Sequence, residues 1–171
     1  MSRSRTRRPE DVPVLDPPLS AAEFEAIYPG LRRYAALVGD ADVDPDDLVQ
    51  DALTAYLRRF AGTVGADHPE AYLRTAVLGL ARNHRRDAGR RRRLTPRPDG
   101  EGAEEQYPSD VAAVLAVLGV QDRALLVLVD LDGHPVGDAA AIVGVTTLAA
   151  RARLSRARRR LREHHDAGER T

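Results

Sequence analysis

The stretch "VTTLAARARLSRARRRLRE", Val145 to Glu163, carries seven arginines between Arg151 and Arg162, although the 171-residue chain has a formal net charge of +0. Within it Ala150, Leu154, Ala157 and Leu161 recur at spacings of four, three and four. That spacing is one narrow apolar edge of an α-helix. The helix therefore packs by an edge and offers guanidinium groups over the rest of its surface. Just before it, Val136 to Val143 is short and Ala-rich, and Gly144-Val145 makes the joint. A short helix, a turn with glycine and a longer basic helix outline a helix-turn-helix. In that motif the N-terminal part of the second helix meets base edges. Thr146, Thr147 and Arg151 are placed to enter a major groove, where arginine can bond guanine bidentately. The later arginines, Arg158 among them, are placed to hold phosphates without reading sequence. A solvated surface helix, with arginines for solubility, would show the same pattern.

Upstream of this motif, "QDRALLVLVDLDG", Gln121 to Gly133, reads as a helix capped by Asp122 and stopped by Gly133. "VAAVLAVLGV", from Val111, is apolar and helical. Leu94 to Asp110 is rich in Pro, Gly and acidic residues and reads as a flexible linker. The first half repeats the helical pattern. Ser20 is placed to cap a helix with Phe24, Ile27, Tyr28, Leu31, Ala35 and Val38 on one face. Asp44-Pro45 starts a second, whose stripe is Val49, Leu53, Tyr56 and Phe60. Ala61 to Glu70 is a loop by its Gly and Pro content. A third helix begins near Pro69, carries Leu73, Val77 and Leu80, and runs into "ARNHRRDAGRRRR". Residues 1–19, rich in Pro and Arg, read as a disordered tail. The expected fold is all-α. Two small helical domains, 20–93 and 111–165, are joined by the flexible linker 94–110.

Composition narrows the function. Hydrophobic residues make up 43% of the chain, with no Trp and two Phe, so Leu, Val and Ala must build the core. The absence of Cys excludes disulfides and thiolate metal sites and fits a cytoplasmic protein. No apolar run approaches a membrane span, so no membrane insertion is expected. The basic N-terminus lacks the apolar block of a secretory signal. Asp40, Asp42 and Asp44 alternate as in a calcium loop, but the glycine and terminal glutamate of such a loop are missing. The five histidines (68, 84, 134, 164 and 165) show no ligand spacing. There is no nucleophile with a neighbouring base, no P-loop and no dinucleotide fingerprint. Neither a metal, a cofactor nor an enzymatic activity is expected. Charge is segregated instead: acidic over Asp40 to Asp51, basic over Arg82 to Arg93 and Arg151 to Arg162. Such asymmetry suits a polyanion partner.

Three segments together resemble the extracytoplasmic-function sigma factors of the sigma-70 family, actinobacterial members included. "DPDDLVQDALTAYLRR" is similar to the family's region-2 helix, which docks on the clamp helices of the largest subunit of RNA polymerase. "HPEAYLRTAVLGLARNHRRDAGRRRR" is similar to the helix that melts and reads the −10 element. "RARLSRARRRLRE" is similar to the end of the region-4 recognition helix. The resemblance covers roughly residues 21–163 and implies a non-enzymatic protein that binds core RNA polymerase and promoter DNA. It implies polymerase contacts at Asp47, Leu48, Gln50 and Asp51, where an acidic helix face suits a basic coiled coil. It implies −10 contacts at Arg74, Arg82, Asn83, Arg85 and Arg86, with Arg90 beyond them, and base capture by the loop Ala61 to His68. Arg151, Arg153 and Arg156 fall at basic positions that meet the −35 element. An anti-sigma factor is a candidate partner.

The chain also departs from the family pattern. Asp138 and Ala139 replace a usual Glu-Ile pair, and Leu148 to Ala150 replaces a usual G-T-V at the start of the recognition helix. Gly79 stands where an Asn is expected, and Gly62 to His68 lacks the loop aromatics. Two other readings accommodate the same residues. One is a stand-alone helix-turn-helix regulator, which would need no "DDLVQD". The other is a sigma-like decoy that binds polymerase without promoter DNA.

Overall fold

A computed structural model describes residues 18–63, 65–94 and 109–168. It contains seven α-helices, and no strand occurs among the described residues. Of the expected tail (1–19), residues 1–17 lie outside the described residues, as do residues 95–108 of the expected linker (94–110). Pro18 and Leu19 belong instead to the folded block, Leu19 buried in its core.

The first block is α1 (Ala21–Val38), α2 (Pro45–Arg59) and α3 (Pro69–Leu94). Ser20 caps α1 through a full capping box with Glu23, which satisfies two backbone donors at once. Asp44 caps α2, its carboxylate accepting from the Asp46 amide, and Pro45 occupies the first turn. The three helices bury Leu31, Tyr34, Ala35 and Val38 against Leu48, Val49, Tyr56, Leu73 and Val77. The Tyr56 hydroxyl donates to the carbonyl of Pro18 and accepts from the Ala66 amide, both at 3.0 Å. It thereby pins the loop between α2 and α3 to the start of α1. Gly65 sits in this crossing. A Cβ there would lie 2.0 Å from the Pro18 carbonyl oxygen, so only glycine allows the approach.

The second block is α4 (Ser109–Ala116), α5 (Val120–Leu126), α6 (Val136–Val143) and α7 (Thr147–Gly168). The helix expected over 121–133 is shorter and better described in two parts. Gly119, not Asp122, is its N-cap, and α5 passes into a π turn at Val127–Leu131. Asp122 is drawn instead to Arg153, 2.9 Å away. α6 ends at Gly144, whose φ of 75° is left-handed, as a glycine C-cap requires. α7 then buries Ala150, Leu154 and Ala157 on α5 and α6, the edge that the four-three-four spacing predicts.

The two blocks are not held apart. α1 packs on α5, and α3 packs on both α5 and α6, so buried residues form one continuous cluster through both blocks. Arginines tie the seam. Arg123, 3% exposed, donates to the Gly39 carbonyl at 2.9 Å and to Asp40 at 2.7 Å. It thus caps the carbonyl end of α1, where the helix dipole favours a cation. Arg82 donates to the Val143 carbonyl at the end of α6 at 3.0 Å, and Thr75 to that of Ile142 at 3.3 Å.

Candidate nucleic-acid interface

The helix-turn-helix presents its second helix outward. Thr146 accepts from the Ala149 amide at 3.1 Å, which caps α7 and fixes its entry angle. Thr146, Thr147, Arg151 and Arg156 are exposed. Leu148 is 77% exposed on the same first turn. A leucine so open on the first turn of the second helix of a helix-turn-helix is a candidate for contact with a thymine methyl. The unusual "LAA" points to it in the sequence, but only the structure shows that it faces out. Arg153 and Arg158 are less free. Arg153 pairs with Asp122 at 2.9 Å. Arg158 meets Asp130 through two donors at 3.0 and 2.6 Å. That bidentate bond holds the guanidinium charge, raising its pKa. Each would have to exchange a carboxylate for a phosphate.

On α3 the sequence-predicted residues separate. Asn83, Arg85, Arg86 and Arg90 are exposed. Arg85 reaches the Leu118 carbonyl at 3.4 Å and Asp40 at 3.7 Å, and Arg86 donates to Asn83 on its own helix. Arg74 is placed differently from expectation: it is 4% exposed and lies in the seam. Its guanidinium sits between Glu70 at 3.0 Å and Asp132 at 3.2 Å, donates to His134, and lies over the Tyr34 ring at 5.9 Å from the centroid. Arg33 also donates to Asp132. The reason is topological: Arg74 is one turn into α3, on the side that the second block covers. Burial pushes the neighbouring Tyr34 hydroxyl pKa up, although the Arg74 and Arg82 charges oppose that shift. Asp132, His134 and Arg123 are seam residues that the sequence did not single out. Their partners come from the other block, and no local spacing announces them.

On α2, Asp47, Gln50 and Asp51 are exposed and, with Thr54 and Leu57, share one outward face. Leu48 does not share that face. It is 1% exposed and packs in the core beside the end of α1. The loop before α3 lacks aromatics, but Phe60 and Tyr72 stand at its two ends. Their ring centroids are 5.4 Å apart, edge to face. Among the described residues there is no group of side chains that could hold a metal ion, and no helix is long and apolar enough to cross a membrane.

Comparisons with known proteins point to one family. Residues 109–161 match the family described as sigma-70, region 4. The extracytoplasmic-function RNA polymerase sigma factor SigM of Mycobacterium tuberculosis is 31% identical over 150 residues, 81% of this chain and 72% of that protein. Among solved structures, the chain superposes on the sigma factor RpoE of Bartonella quintana, solved with the anti-sigma factor NepR. The TM-score is 0.66 at 28% identity, covering 83% of this chain and 93% of that one. CnrH, solved with the cytosolic domain of CnrY, gives 0.60 at 26% identity over 84% and 85% of the two chains.

Proposed function

The chain belongs to the extracytoplasmic-function sigma factors of the sigma-70 family, and on that premise we propose how its surfaces divide the work of promoter recognition. α7 reads the −35 duplex. Thr146, Thr147, Leu148 and Arg151 meet base edges, and Arg153, Arg156 and Arg158 hold phosphates. α3 meets the opened −10 strand through Arg82, Asn83, Arg85, Arg86 and Arg90, a basic track of the kind single strands need. Phe60 and Tyr72 supply the rings against which a base at the loop can stack. The outward face of α2, with Asp47, Gln50 and Asp51 around Leu57, docks on core RNA polymerase. The chain itself does no chemistry in this scheme; the polymerase does.

The observation that carries the reading is the outward N-terminal turn of α7 on a helix anchored by one edge. Nothing in the core needs Thr147, Leu148 and Arg151 to be what they are. The seam adds a condition. Arg74 and Arg82 bond to the second block here, so α3 presents its full basic face only after the blocks separate. The relatives RpoE and CnrH were each solved with a partner, NepR and the cytosolic domain of CnrY. An anti-sigma factor that favours the docked arrangement fits the same surfaces.

The test is run-off transcription with core polymerase from the source organism on a pool of its promoter fragments. A transcript that depends on this protein, and is lost when Asp47 and Asp51 are charge-reversed, is expected. A tight shift of bare duplex without any transcript would instead indicate a stand-alone regulator. Polymerase binding with neither would indicate a decoy.

A further inference from the structure

Between the blocks lies a cleft of about 620 Å³ walled by Arg82, Arg85 and Arg86 of α3 and by Arg153 of α7. Asp122 is the carboxylate on its lining, and it is paired with Arg153. Three arginines therefore line one wall and a fourth the other, and Arg82 feels the charges of Arg86 and Arg153 across it. Like charges so gathered are costly unless an anion joins them. Arg82 registers that cost. Burial lowers its pKa first, the charges of Arg153 and Arg86 lower it further, and Tyr34 opposes them. Its Nε is buried without a hydrogen-bond partner, so the protein leaves that guanidinium incompletely satisfied.

Gly79 adds an independent sign. It lies within α3, where glycine weakens a helix, and it lines the cleft. A Cβ at Gly79 would meet nothing within 4 Å, so no close packing demands glycine. What glycine does there is leave the cleft open. A volume of this size falls in the range of small-molecule sites, roughly 300–1,000 Å³.

We propose that this cleft binds a small polyphosphate anion, a diphosphate or triphosphate of the kind a nucleotide carries, gripped between α3 and α7. Asp122 and Asp40 pair with Arg153 and Arg85, and among the described residues Arg82 and Arg86 are left without a carboxylate. Adjacent phosphates offer each guanidinium fork its own pair of acceptor oxygens. Because the ligand touches both blocks, its binding holds them docked and occupies the arginines assigned to the opened strand. That consequence rests on the sigma-factor reading above; the binding does not.

The experiment is calorimetric titration of the full chain with inorganic pyrophosphate at physiological salt, repeated with a nucleoside triphosphate and with a short single-stranded oligonucleotide. Saturable one-to-one binding of pyrophosphate is expected. Gly79→Leu, which narrows the cleft and removes no charge, should weaken it about tenfold or more, as should Arg86→Ala through loss of a charge-assisted hydrogen bond. Pyrophosphate should also compete with the oligonucleotide. Absence of saturable binding overturns the proposal. So does binding that Gly79→Leu leaves unchanged, since the heat would then come from diffuse attraction to surface arginines or from a strand-type phosphate site. Run-off transcription separates the two readings. Transcription without pyrophosphate binding removes only the cleft, and pyrophosphate binding without transcription removes only the promoter role.

Discussion

α3 and α7 are made of the same materials and end up in different positions. Both are long, 26 and 22 residues, and both carry a narrow apolar stripe among many arginines. α7 is covered on one side, by α5 and α6, and most of its arginines remain outside. α3 is covered twice, by α1 and α2 on one side and by α5 and α6 on the other. Its arginines at 74 and 82 are consequently drawn to carboxylates and helix-end carbonyls of the second block. How many sides of a basic helix the fold covers decides whether its charges are available to a polyanion. The composition of the helix does not.

The strongest way to break this comparison is to cut the seam. Asp132 is 4% exposed at its side chain and receives both Arg74 and Arg33. Asp132→Ala leaves Arg74 buried with only Glu70 as a carboxylate partner. Removing one member of a buried pair costs about 3 kcal/mol, and urea unfolding should show a loss of that order. The same variant should bind a single-stranded −10 oligonucleotide more tightly, because α3 is released. A stability loss well under ~1 kcal/mol would mean that Arg74 is solvated in solution and that the blocks are not docked.

The converse test acts on α7. Arg151→Ala removes an exposed side chain with no partner in the core. Duplex binding at −35 should weaken about tenfold or more, with relaxed preference at one base pair. Unfolding should shift by less than ~0.5 kcal/mol. Arg162→Ala, further along the same helix, should leave base preference intact. It should reduce the slope of log affinity against log salt by about 1. If Arg151→Ala and Arg162→Ala behaved alike, α7 would be a uniform basic rod rather than a reading head.

What the sequence shows well is whatever a helix reveals about itself. The edge of α7, the caps at Ser20 and Asp44 and the turn at Gly144 are all local patterns. Each reappears in the structure where its spacing puts it. The seam is not local. Arg123 meets Gly39 and Asp40, and Arg74 meets Asp132, across long stretches of chain. No periodicity links such pairs. Leu48 shows a different limit. It sits inside a polar motif, "DDLVQD", and a motif names positions without saying which side of the helix each occupies. The burial of its neighbour Val49 was legible, and that of Leu48 follows once α1 is known to pack alongside. Residue type alone predicts a cap at Asp122, but the helix starts at Gly119 and Asp122 pairs with Arg153.

The smallest expected effect supplies the control that separates seam from fold. Asp46 lies within the first block and accepts from the Tyr28 hydroxyl and from Arg32 at 2.9 Å. The Tyr28 bond first, and then Arg32, hold its carboxyl below the usual range. A depressed carboxylate stabilises the fold above its unfolded-state pKa, and that contribution disappears as pH falls through the depressed value. The pair is partly exposed, so screening limits it to under ~1 kcal/mol. Asp46→Asn should therefore be slightly less stable than the parent near neutral pH, and the gap should close on acidification. Because this pair crosses no seam, the gap should be the same in the parent and in Asp132→Ala. A gap that changed between them would show that docking of the second block reshapes the α1–α2 pairing, and the two blocks would then have to be treated as one cooperative unit.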